Sequence, residues 1–125
     1  MLQEDEVAAA LLAAKDVTTF QRFSPRLVRG DGNCLYRAIS LALYGTEESF
    51  ACVRFKAAVQ MIENRRYYDN ETSDFIIHDS RILTPAYKEI LPSVLTDGSY
   101  AELIHIFAIS AAYQIPLQSY CVPGI

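Results

Sequence analysis

Four consecutive residues, Asp31-Gly32-Asn33-Cys34, combine a turn, a carboxylate and a thiol. The thiol opens a run that is apolar at nearly every position, Cys-Leu-Tyr-Arg-Ala-Ile-Ser-Leu-Ala-Leu-Tyr over 34–44. A helix over that run puts Cys34 in its first turn, where free backbone N–H groups and aligned peptide dipoles favour a thiolate. The same N–H groups can donate to an oxyanion that develops on a carbonyl under attack. Gly32, with no Cβ, lets the backbone come close to a substrate carbonyl. The chemistry would be nucleophilic attack by sulfur. A second reading stays open, because Asp-Gly-Asn is also an ordinary capping turn. A cysteine at a helix start is often a small buried hydrophobe.

Other reactive residues are sparse. Cys52 and Cys121 complete an odd set of three widely spaced cysteines, which argues against a disulfide framework. The two histidines are His78 and His105, and no CxxC or HxxxH spacing offers a metal site. His105 falls in an apolar segment with Glu102 three residues earlier, and reads as a packed or solvated side chain. His78 precedes Asp79, but adjacent residues on a helix do not face each other; it reads as a surface histidine. Arg65-Arg66 with Tyr67-Tyr68 is too small a basic and aromatic group to indicate nucleic acid.

The elements that must position Cys34 can be read from capping and periodicity. Gly45 ends the helix over 34–44, whose only polar residues are Arg37 and Ser40. Such a helix is expected to be surrounded on most sides. Thr46 caps a long helix over about 47–67, with a stripe of Val53, Ala57, Gln60/Met61 and Asn64 widened by Phe50, Phe55 and Ile62. Thr72 or Ser73 starts a short helix through Phe75–Ile77, and Thr84-Pro85 reads as a helix start. Pro92 and Asp97-Gly98 delimit loops. Ser99 caps an apolar helix over 100–113, and Ile115–Val122 reads as the one strand. Ahead of all this, residues 4–15 read as an alanine-rich helix, with an arm to residue 24 lying on the domain surface.

Composition limits the functional classes. The chain has 125 residues, 51% hydrophobic and 21% charged, with net charge −4. That is one domain with a core of its own and is incompatible with intrinsic disorder. The acidic balance argues against a nucleic-acid binder. The longest apolar run, Val7–Ala14, is too short to span a membrane, and Glu4-Asp5-Glu6 does not fit a secretory leader. These features predict a soluble protein of the cytoplasm or nucleus.

The segment Val28-Arg29-Gly30-Asp31-Gly32-Asn33-Cys34-Leu35-Tyr36-Arg37-Ala38-Ile39-Ser40 resembles the nucleophile segment of the OTU (ovarian tumour) family of papain-like cysteine peptidases. The likeness extends through Tyr44-Gly45, Val53-Arg54 to Asn64, Gly98-Ser99-Tyr100-Ala101-Glu102-Leu103 and Ile115-Pro116-Leu117, covering roughly residues 25–122. It implies an α+β fold, helix-rich with an incomplete central sheet, as an OTU-like domain over 25–125 behind an N-terminal arm over 1–24. It implies an isopeptidase that removes ubiquitin, with Cys34 as nucleophile and Asp31 as the acidic residue shaping the loop. Backbone N–H groups of Asp31, Gly32 and Cys34 would form the oxyanion hole, and neither metal nor organic cofactor is needed. The family's general base is a histidine on a late strand, and no histidine lies between Tyr113 and Ile125. The expectation is a domain truncated before its catalytic histidine, inactive or incomplete by itself. The alternative is an inactive OTU-like module that binds ubiquitin or another protein.

Overall fold

The computed structural model describes residues 4–7, 9–10, 26–69 and 86–117. The chain divides into two compact units, residues 1–28 with 118–125, and Arg29–Leu117. In the first, residues 6–7 and 9–10 are helical, and Glu4 forms an isolated antiparallel bridge with Arg26. The second holds α1 (Cys34–Tyr44), a 3-10 turn (Glu47–Ser49), α2 (Phe50–Glu63), α3 (Arg65–Tyr68), α4 (Tyr87–Leu95) and α5 (Leu103–Tyr113).

Helix α2 is the hub of this unit, with α1, α4 and α5 all packed on it. Its buried face is Val53, Arg54, Ala57, Ala58 and Met61. The two alanines leave room for close helix approach, and the core is completed by Tyr36, Ile90, Val94, Ile104, Ala108 and Ile109. The expected widening of the stripe by Phe55 and Ile62 is corrected: these side chains are 63% and 55% exposed. Apolar residues lie on both faces of α2, so periodicity alone does not say which face turns inward.

Helix α1 begins and ends where its sequence predicts. Gly45 takes the left-handed conformation at φ 74° and returns its N–H to Leu41 O at 3.1 Å. Both of its polar residues, Arg37 and Ser40, are buried, and of its apolar residues Leu43 and Tyr44 at the C-terminal end are exposed. Each polar residue has a partner that permits burial: Arg37 reaches Asp31, and Ser40 donates to Thr46 O. Thr46 caps the 3-10 turn as predicted, accepting from the Glu48 N–H at 3.2 Å.

Three boundaries are corrected. The predicted helix over 47–67 is three pieces, the 3-10 turn, α2 and α3, and the last two part at Asn64, whose backbone N–H and Nδ2 both donate to Gln60 O at 3.0 and 3.2 Å. Pro92 lies inside α4 rather than in a loop. The final turn of α4 is secured from outside, where Thr96 Oγ1 donates to Pro92 O at 2.7 Å and Arg54 Nη1 donates to the carbonyls of Ser93 and Val94. The last helix starts at Leu103, not Tyr100, and is capped by Glu102 rather than Ser99.

The α+β expectation finds no sheet among the described residues. Residues 115–117 are not in a strand, and 118–122 of the predicted strand lie outside the described residues, as do the predicted Phe75–Ile77 helix, His78 and Thr84-Pro85. The described fold is helical. No helix among these residues is long and apolar enough to cross a membrane.

Candidate active site

The loop that precedes Cys34 is built from its own side chains. Asp31 Oδ1 accepts the Asn33 N–H at 2.9 Å, an Asx-type turn. The Asp31 carboxylate also receives Arg37 Nε at 3.1 Å, so the acidic residue ties the loop to the first turns of α1. Arg37 stacks on Phe50, 4.3 Å from the ring centroid. Upstream, the Arg29 N–H donates to Glu47 Oε1 at 3.0 Å, giving Glu47 a tertiary role beyond capping charge.

A second set of contacts comes from the turn before α5. Asn33 is buried, and its Nδ2 donates to Asp97 Oδ1 at 2.7 Å while its Oδ1 accepts the Gly98 N–H at 3.0 Å. Gly32 lies against the Gly98 backbone so closely that a Cβ would stand 1.5 Å from Gly98 O. The close approach expected toward a substrate carbonyl is thus made to a carbonyl of the protein itself.

The third set comes from α2. Arg54 is 4% exposed. Its Nε donates to Asn33 Oδ1 at 2.8 Å, and its Nη2 donates to Gly32 O at 3.2 Å and to Ser99 O. Its guanidinium lies over the Tyr36 ring at 3.9 Å from the centroid. Burial pulls the Arg54 pKa down, opposed by Tyr36, Asp97 and Asp31. Burial likewise pushes the Tyr36 hydroxyl up to about 12, with Arg54 acting the other way. Two buried atoms on α1, Tyr36 Oη and Arg37 Nη1, have no hydrogen-bond partner among the described residues.

Cys34 itself is half-buried at the first position of α1. The three backbone groups expected to form an oxyanion hole are not equally available. The Asp31 N–H donates to Arg29 O at 3.1 Å, and the Cys34 N–H donates to Asp31 O at 3.0 Å. Presenting both to a ligand requires those two turns to open.

His105 is fully buried on α5, the packed one of the two placements its sequence leaves open. Its Nδ1 accepts the Glu102 N–H at 2.9 Å, which leaves Nε2 to carry the proton and donate to Ile90 O at 2.9 Å. The ring closes a reciprocal cap with Glu102 and pins α5 to α4. With both nitrogens occupied, it is a structural histidine. Cys52 is exposed on α2. Among the described residues no group of three or more His, Cys, Asp or Glu side chains could hold a metal.

Sequence reasoning missed Arg54 as an organiser of the loop. The available signal was its register, since positions 54, 57/58 and 61 share one helix face and Arg54 is the charged member of an apolar stripe.

A family model described as vertnin, OTU domain, matches residues 25–89, just over half of the chain. The solved structure of the OTUD1 OTU domain superposes with a TM-score of 0.61 at 21% identity, covering 88% of this chain and 68% of that one. At that identity the likeness is one of fold. No curated protein matches the sequence.

Proposed function

Because the chain belongs to the family of vertnin OTU domains, we propose that it engages the C-terminal tail of ubiquitin or a ubiquitin-like protein through Cys34, as an isopeptidase-type cysteine site. The observation that carries this reading is the rigid seat of the thiol. Cys34 opens an apolar helix, and the two residues before it are hydrogen-bonded to α2, to the Asp97-Gly98 turn and to Asp31. A fixed nucleophile at a helix N-terminus is the arrangement that attack on a carbonyl requires. In the reaction Cys34 Sγ would add to the carbonyl carbon of the isopeptide bond, the C–N bond would break, and the proton given up by the thiol would end on the leaving amine, which leaves a thioester on Cys34. Asp31 shapes the loop through Asn33 and Arg37. The donor of the leaving-group proton is not His105, the one histidine among the described residues.

That last point supports a second reading, an OTU-like module that binds such a tail without turning it over. The engaged N–H groups of Asp31 and Cys34 favour it as well.

One pair of assays tests both. Ubiquitin bearing a thiol-reactive group at its C-terminus should form a one-to-one adduct with the protein and none with Cys34→Ala. Incubation with diubiquitin then separates the readings: cleavage supports the isopeptidase, and adduct formation without cleavage supports the module. A folded protein that forms no adduct contradicts the proposal.

A further inference from the structure

We infer that Arg54 is the positioning residue of the Cys34 loop, orienting the Gly32–Asn33 peptide ahead of the thiol rather than merely filling the core. The inference rests on the reading of Cys34 as the reactive thiol. A guanidinium has five N–H donors in a fixed fork. Here all five are matched: Nε by Asn33 Oδ1, Nη1 by the carbonyls of Ser93 and Val94, and Nη2 by the carbonyls of Gly32 and Ser99. No carboxylate is hydrogen-bonded to it among the described residues. Burying a cation on main-chain oxygens is costly, and a position that needed only packing would be served better by an apolar side chain. What the arginine adds is orientation.

The peptide between Gly32 and Asn33 is held from opposite sides. Its oxygen accepts from Arg54 Nη2 at 3.2 Å, and its N–H donates to Asp31 Oδ1 at 2.9 Å. Rotating that peptide would break both bonds and turn an N–H toward a cation. Arg54 also grips the Asn33 side chain and stacks on Tyr36, so it touches residues on both sides of Cys34. Through Ser93, Val94 and Ser99 it refers the loop to the end of α4 and the start of the segment leading into α5. Lysine at this position keeps the charge but radiates three donors from one atom, and cannot reproduce the fork.

The test compares alkylation rates of Cys34 and Cys52 by iodoacetamide, peptide by peptide, in the wild type and in Arg54→Lys. The working temperature lies well below the melting transition of both. Cys52 is exposed on α2 and serves as the internal control. The expected result is a Cys34 rate at least fivefold below wild type, with the Cys52 rate within twofold. A purely structural arginine would lower the melting temperature and leave the Cys34 rate alone, so a folded Arg54→Lys with an unchanged Cys34 rate overturns the inference. Should Arg54→Lys not fold, Asn33→Ala removes the acceptor of Nε together with the bonds to the Asp97-Gly98 turn, and is read against Asp97→Ala, which breaks the Asp97 bond and leaves Arg54 its acceptor. A Cys34 rate lowered more by Asn33→Ala than by Asp97→Ala is expected, and equal rates in the two overturn the inference. Failure of the ubiquitin adduct in the wild type would strike the proposed function. A wild-type adduct with no effect of Arg54→Lys on the Cys34 rate would strike this inference alone.

Discussion

At Gly32 the demand for glycine is steric and internal to the protein. The site for a Cβ lies 1.5 Å from Gly98 O and 2.3 Å from its carbonyl carbon, so any side chain must push apart two backbones. Gly32→Ala is expected to destabilise the protein by about 3 kcal/mol or more, the upper range for overpacking against atoms that cannot rotate away. Gly30→Ala, two residues earlier with nothing within 4 Å of its Cβ, is the matched control and should stay within about 0.5 kcal/mol of wild type. Urea midpoints of the pair measure the contrast, and equal midpoints would contradict the close approach. The motif residues were legible as a turn before a helix because Asp, Gly and Asn announce turns locally. Their partners Asp97, Gly98 and Arg54 were not, because no local rule links residues that stand 64 and 65 positions apart, or 21 in the case of Arg54 and Asn33.

Among the elements, α1 was the most legible, since its Gly45 terminus and its nearly continuous apolar run are signals carried within a few residues. Helix α2 shows where periodicity fails. It has apolar residues on two faces, and only the packing of α1, α4 and α5 selects the one with Met61 over the one with Phe55. Met61→Ala should therefore cost about 2–5 kcal/mol, and Phe55→Ala less than about 1 kcal/mol, although phenylalanine is the larger side chain. Thermal or chemical unfolding of the two variants decides this, and a reversed order would show that the opposite face is inside. The start of α5 was misplaced for a related reason. Its sequence is apolar all round, so Ser99 offered a plausible cap, whereas Glu102 and His105 satisfy each other's ends three residues later.

For the molecule as a whole, His105 makes stability depend on pH. Burial holds its pKa below the ordinary 6.5; the Ile90 hydrogen bond and Glu102 act in the opposite direction, and Arg54 adds to the lowering. The unfolded chain takes up a proton near 6.5 while the folded chain does not, so protons favour unfolding. The contribution of the neutral ring is complete above 6.5. It drains as the pH falls toward the lower folded value, by at most about 1.4 kcal/mol per pH unit. His105→Gln removes this titration, so the stability gap between wild type and variant should narrow between pH 7.5 and pH 5, and a constant gap would contradict the assignment. The sequence alone determined the thiol-bearing turn, the helix that follows it with its glycine stop, and the likeness to OTU domains, because each is written in residues within a turn or two of one another. Only the tertiary structure decided that Gly32 faces Gly98 and that Arg54 and His105 are buried. A guanidinium such as that of Arg54 can leave water here only because partners from distant parts of the chain converge on it, and that convergence is a property of the packed helices.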